Sequence, residues 1–386
     1  MSTIYLDHAA TTPLDARVLQ AMMPFFGDDY GNASSPHHMG RKSAVATDQW
    51  RRVIADVIGC DVSEIIFTGS GTESINAAFF GILQNRPQKR IITALTEHKA
   101  VLEPAERAAA TGYEVVHVAL DETGKIHPET LAPLLDEDTA LVSLMHANNE
   151  TGTMHPVGEL AELCRKKDIP FHCDAVQTAG KVPLDVQELG VDLLSISAHK
   201  FNGPKGTGAL YVRSGTPWSA WMLGGSQERG RRAGTLNVPG IAGMGRALQL
   251  AAEEMDDRRQ RNRRLKKQMM GRLDDAFGRQ VRFNGDTEAG LETILSVTFF
   301  DPEGMPLDGE MLLLNLDIEG ICCSNGSACT SGTIKPSHVI MAMGNSPDTA
   351  RSTLRFSFGK DNTTAQVDET VDQLREIISR HTHPAK

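Results

Sequence analysis

The sequence predicts an α/β protein, with a mostly parallel seven-stranded sheet in a large domain and a smaller α+β domain at the C-terminal end. Three observations predict it. From about residue 63 to residue 213, short β-rich runs alternate with segments that can be helices, the pattern of a sheet with helical crossovers. One connection near the end of that region is too short for such a crossover. Past Pro239 a long helical stretch leads to a region with strands and helices of its own.

The runs, in order, are "EIIFT" (64–68), "RIITAL" (90–95), "EVVHVAL" (114–120), "ALVSLMH" (140–146), "IPFHC" (169–173), "DLLSIS" (192–197) and "GALYVR" (208–213). Helix-like segments between them include "TESINAAFFGIL", the one following "EHKAV", and "PVGELAELCRKK". Only the ten residues Ala198–Thr207 separate the last two runs. A parallel crossover needs about a dozen or more, so "GALYVR" is expected to run antiparallel. The helical stretch is expected to continue to about Phe277. Beyond it, "TILSVTFF" and "TLRFSF" read as strands, and "EMLLLNLDI" and the segment near Asp368–Ser379 as helices. The expected division is a large domain at 14–260 and a small domain formed by 1–13 with 261–386.

The 386 residues allow two or three domains' worth of chain and an ample core. A net charge of −10 argues against nucleic acid or an anionic membrane as the main partner. No apolar run approaches the roughly 20 residues of a membrane helix, and Met1–Pro13 lacks a signal-peptide apolar stretch, so a cytoplasmic protein is expected. The basic run "DDRRQRNRRLKK" (Asp256–Lys267) could bind phosphate, but its acidic neighbours favour a solvated helix face. Six scattered cysteines form no CxxC pair, which disfavours a disulfide framework or a zinc site. Metal binding by Cys322, Cys323 and Cys329 stays as a minor alternative.

In open α/β sheets, ligands bind beyond the carboxyl ends of the strands. Here those ends carry "GSGTES", "TEHK", "ANNETG", "DAVQ" and "AHKFNGPKG". Polar and ionisable groups at five strand ends describe a site better than a surface. "FTGSGTES" places a Gly-rich turn before a helix start at Thr72, which suits a phosphate and equally a plain turn capped by Thr72. Lys200 ends an apolar strand, where a lysine can bond a carbonyl carbon or simply face solvent. Asp174, at another strand end, could pair a pyridinium nitrogen, cap a helix or join a salt bridge. Lys200, Asp174 and the turn together supply what pyridoxal phosphate needs. Cys329, in "SNGSACTSG", sits among glycines and hydroxyls with nothing apolar to bury it, so it reads as a reactive thiol on a tether.

"YLDHAATTP", "YGNASSPHHMG", "TEHKAV", "NNETGT", "HCDAVQTAGK", "SAHKFNGPKGTGALYVR", "ERGRRAGT", "GSACTSG" and "RFSFG" follow one another from Tyr5 to Gly359. This series resembles that of the cysteine desulfurases of the NifS and IscS types, pyridoxal-phosphate enzymes of aminotransferase class V with the fold-type I architecture. The resemblance implies that Lys200 bonds the cofactor aldehyde, Asp174 pairs its ring nitrogen and Gln177 its ring hydroxyl. His98 would stack on the ring and help move protons. Gly71, Thr72, Ser197 and His199 would hold the phosphate, with Thr235 reaching in from a second subunit of a homodimer. Asn149 and Arg355, helped by Asn32, would grip the carboxylate of L-cysteine. Cys329 would take the substrate sulfur as a persulfide, releasing L-alanine and passing sulfur to an acceptor such as an iron–sulfur scaffold protein. A selenocysteine lyase or another C–S lyase is the alternative enzyme, and a cofactor-binding scaffold without turnover the alternative of another class.

Overall fold

A computed structural model describes residues 3–326 and 335–382. Strand β1 (Ile4–Tyr5) is followed by helices α1 (Ala16–Met22) and α2 (His38–Ile58). The alternating region begins with β2 (Ile65–Thr68), α3 (Gly71–Leu83), β3 (Arg90–Thr93), α4 (Lys99–Ala109), β4 (Glu114–His117) and α5 (Pro128–Leu131). It continues through β5 (Thr139–Met145), α6 (Val157–Arg165), β6 (Phe171–Asp174), α7 (Val186–Leu189), β7 (Leu193–Ser197) and β8 (Gly208–Val212). Then come α8 (Val238–Glu253), α9 (Met255–Phe277), β9 (Val281–Asn284), β10 (Ile294–Phe299) and α10 (Gly309–Ile318). The chain closes with β11 (Ile321–Cys322), α11 (His338–Ala342), α12 (Pro347–Arg351), β12 (Thr353–Ser357) and α13 (Thr364–Thr382).

The main sheet has the order β2-β8-β7-β6-β5-β3-β4. Only β8 runs against its neighbours, β2 on one side and β7 on the other. The short connection before "GALYVR" therefore has the consequence expected of it. Every residue of β2, β5, β6, β7 and β8 is buried, because helices cover both faces. That is why these strands read as apolar runs rather than as alternations. The register sets Met145 beside Asp174 and Asp174 beside Ser195. The carboxyl ends of β5, β6 and β7 therefore reach the same level.

The helical stretch after Pro239 is two helices, not one. The break is at Glu254, whose φ of −104° and ψ of 10° leave the helical region. It lets each half face a different core. Ile241, Met244 and Leu248 of α8 join the core beneath the main sheet. Leu265, Met269 and Leu273 of α9 join a second core with Phe299 of β10 and Phe356 of β12. That second core holds the antiparallel sheet β12-β10-β9 and the parallel pair of β1 with β11. The first strand of the chain thus packs among the last. Among the described residues no helix is long and apolar enough to cross a membrane.

Candidate active site

The carboxyl ends of the central strands open into a cavity of about 600 Å³, within the range of small-molecule sites. Lys200 enters it from the one-turn helix that ends β7. Its Nζ donates to the carbonyls of Ala9 at 2.6 Å and Ala10 at 2.8 Å. The N-terminal segment is itself latched to this turn, since Thr12 donates to the carbonyl of His199 and Asn202 to that of Pro13. Burial, then the cation of Arg355, lowers the Lys200 amine to about 8, against the pull of Asp174 and Asp7. The shift favours the neutral amine relative to an ordinary lysine.

Asp174, the last residue of β6, is buried and accepts the N–H of Val176 on Oδ1 at 2.9 Å. Burial raises it to about 6, partly offset by that hydrogen bond and by Lys200. Among the described residues no ion pair reaches this carboxylate, and Lys200 acts on it only through its charge. Gln177, three residues on, donates through Nε2 to Ala9 O at 2.9 Å and accepts from Lys181 Nζ at 3.0 Å on Oε1. An ammonium can only donate and a carbonyl only accept, so these partners fix the orientation of the amide.

At the far end lie Gly71 and Thr72, with Ser197 and His199. The N-cap lies two residues earlier than expected: it is Ser70, not Thr72, its side chain accepting the N–H of Glu73. Ser70 precedes the turn's last glycine, so Gly71 takes the first helical position. A Cβ on Gly71 would lie 2.9 Å from Val176 Cγ2 and 3.2 Å from Ser197 Cβ. Glycine there lets the start of α3 approach β6 and β7 closely, with free helix N–H groups that suit a phosphate. His199 is lowered to about 4 by burial and nearby lysines.

His98 presents its ring to the cavity at the start of α4. Its side chain is exposed, yet desolvation by the atoms packed around the ring, then the cation of Lys200, lowers it to about 4. Across from it, Arg355 of β12 is buried, donating to Asp7 and to the backbone carbonyl of Asn149, each at 2.8 Å. Nε of Arg355 and Oδ1 of Asn149 are buried without a partner among the described residues. Orphaned polar atoms on the wall of a cavity mark a place for a polar ligand.

Pyridoxal phosphate fits this set. An amine for its aldehyde, an unpaired buried carboxylate for its ring nitrogen and a helix start for its phosphate all face one cavity. The aminotransferase class-V family model matches residues 4–370. The chain belongs to that family. It is similar to the cysteine desulfurase IscS of Dictyoglomus turgidum, 44% identical over 379 residues, which cover 98% of this chain and 95% of that one. It is also similar to the putative cysteine desulfurase IscS 1 of Bacillus subtilis, 43% identical over 385 residues, covering 99% and 100%. A solved NifS-like protein superposes with a TM-score of 0.90 at 38% identity, covering 98% of this chain and 99% of that one.

Within this class-V site the structure brings together Gly71, Thr72, His98, Asn149, Asp174, Gln177, Ser197, His199, Lys200 and Arg355. It does not bring Asn32 there: that side chain is exposed, accepts the N–H of Ser34 and lines no part of the cavity. Thr235 is also exposed and away from its own chain's cavity. Nearby Arg232 pairs with Glu73 at 2.7 Å, which holds that segment beside the first turn of α3. Cys329 lies outside the described residues. Cys323 to Gly326, a few positions before it, line the cavity.

Four site neighbours escape a reading of the sequence: Asp7, Glu97, Glu150 and His338. Glu97 is fully buried, accepts the N–H of Met145 at 2.8 Å, and burial pushes its carboxyl well up. Glu150 accepts the hydroxyl of Ser337, and burial likewise raises it. His338 lines the cavity from the start of α11. Three of the four stand inside motifs that mark the site, "YLDH", "TEHK" and "NNETG", where their acid groups were the available signal. His338 carried none.

Proposed function

We propose that the protein is a pyridoxal-phosphate-dependent cysteine desulfurase, which converts L-cysteine to L-alanine and takes the sulfur onto Cys329 as a persulfide. The observation that supports it most is the convergence of Lys200, Asp174 and Arg355 on one cavity in a chain whose relatives carry that name. Bound pyridoxal phosphate supplies a sink for the electron pair left when the Cα proton departs. Lys200 would hold its aldehyde and, once released, take that proton as the neutral amine that burial favours. Asp174 would hold the ring nitrogen and Gln177 the ring hydroxyl, and His98 would contact the cofactor from the cavity wall. The start of α3 with Thr72, Ser197 and His199 holds the phosphate. Arg355 and Asn149 receive the substrate carboxylate, a guanidinium offering two parallel donors.

Thr235 completes the site of a second copy, so the enzyme is a homodimer with an interface on the order of 2,000 Å² or more. Exposed Trp221, Met222 and Leu223, shortly before "ERGRRAGT", support that reading. The large domain is taken as 14–260 and the small one as 1–13 with 261–386, a division that the two separate cores support. The setting is the cytoplasm, and an iron–sulfur scaffold protein or another acceptor receives the sulfur.

The test is anaerobic turnover of L-cysteine by the wild type and Cys329→Ala, with both proteins shown to bind the cofactor. The proposal expects alanine from the first and none from the second. Alanine from both would make the protein a C–S lyase, and alanine from neither a scaffold.

A further inference from the structure

Of the three imidazoles that line the cavity, two, His98 and His338, have a ring nitrogen bonded to the backbone, which dictates the face each one shows. Nδ1 of His98 accepts the N–H of Ala100 at 3.1 Å, capping α4. A neutral imidazole has one bare nitrogen, and here the cap occupies it. The proton sits on Nε2, so His98 meets the cavity as a donor. Taking up a second proton would break the cap, and the low pKa of the ring points the same way.

His338 is turned the other way. Its Nε2 lies 2.9 Å from the backbone carbonyl of Glu97. A carbonyl only accepts, so that nitrogen carries the proton and Nδ1 keeps the lone pair. Among the described residues no hydrogen bond occupies Nδ1. Both rings hold the same tautomer; they present opposite ends of it.

We propose that His338 takes the proton that the α-ammonium group of the incoming amino acid must lose, while His98 acts there only as a hydrogen-bond donor. The inference rests on the site being an amino-acid site of the kind described above. One N–H bond of the ammonium breaks and one Nδ1–H bond forms. The electron pair stays on the amine nitrogen, nothing is oxidised or reduced, and the imidazolium returns its proton to solvent. His338 is held by the backbone carbonyl of Glu97, with the carboxyl of Glu150 near it from the loop after β5 and the ring of His98 from α4, and the cations of Lys200 and Arg355 act in turn on His98.

Two readouts test this. In the cofactor-free protein, nitrogen NMR of the rings should show the proton on Nε2 and the bare nitrogen at Nδ1 in both residues. In the loaded protein, mixing with L-alanine, which has the ammonium but no thiol, should change the cofactor absorbance. His338→Gln keeps an N–H for the Glu97 carbonyl but has no basic nitrogen. It should slow that change about 100-fold at pH 7, recovering as pH rises, whereas His98→Gln should keep the wild-type pH midpoint. A wild-type pH profile in His338→Gln, or a proton on Nδ1 of His338, would overturn the proposal. The NMR arm stands even where a variant fails to fold. Loss of L-cysteine turnover in the wild type, with both readouts as expected, would sink the desulfurase reading and leave this one intact.

Discussion

The carboxylate of Asp7 lies 2.8 Å from Nη2 of Arg355, in a site where Arg355 is also held by the carbonyl of Asn149. Asp7 follows β1 and Arg355 belongs to β12, so the first turn of the chain fixes an arginine near its end. The pair orients the guanidinium before a substrate arrives, and preorganised groups bind better than free ones. Asp7→Ala should raise KM for L-cysteine about tenfold with kcat little changed, the pattern of lost uniform binding. A KM that stays the same or falls would mean that Asp7 merely competes for the guanidinium.

Glu228 sits in "ERGRRAGT", buried, with φ of 49°. Its carboxylate accepts from both terminal nitrogens of Arg51, at 2.5 and 2.8 Å, and from the N–H of Phe67 at 2.9 Å. Removing one partner leaves a buried charge uncompensated, so Glu228→Ala should cost about 3–5 kcal/mol in denaturant unfolding. Changing both, as Arg51→Met with Glu228→Leu, should recover much of that loss. A single variant within about 1 kcal/mol of wild type would show that water replaces the carboxylate.

His172 lies within β6, its ring between the hydroxyls of Ser143 at 2.8 Å and Ser195 at 2.9 Å. Burial lowers it to about 3, whereas an unfolded histidine titrates near ~6.5. The unfolded state therefore binds the extra proton between those values. The contribution to stability is full above about pH 6.5 and is lost as pH falls toward 3. From pH 7 to pH 5 the loss from this one group is about 2 kcal/mol. His172→Gln should flatten the pH dependence of unfolding by about that amount, whatever its effect at pH 7. An unchanged slope would contradict the assignment.

Much of the sheet was legible because its strands are buried on both faces and so read as unbroken apolar runs. The ten residues after β7 made the direction of β8 readable from a length alone. Strands β1 and β11 were not readable, since two residues carry no period. The break at Glu254 was hidden for another reason: no glycine or proline marks it, and only the two cores that α8 and α9 face require it. Lys200 and Asp174 stood out by ending strands. His338 could not, because its bond to the Glu97 carbonyl joins segments 241 residues apart. Thr72 was read as the cap of α3 and Ser70 takes that place, because either hydroxyl in "GSGTES" can accept a helix N–H and only the fold selects between them.

A desulfurase of the proposed kind must place the substrate's sulfur on one cysteine of this chain. The most direct measurement is the mass of peptides from the protein after a single anaerobic turnover of L-cysteine, with thiols blocked at the end. The account predicts one added sulfur atom on the peptide containing Cys329, matched by one alanine released per site. Alanine released with no sulfur on Cys329, or with the sulfur on Cys323 instead, would contradict it.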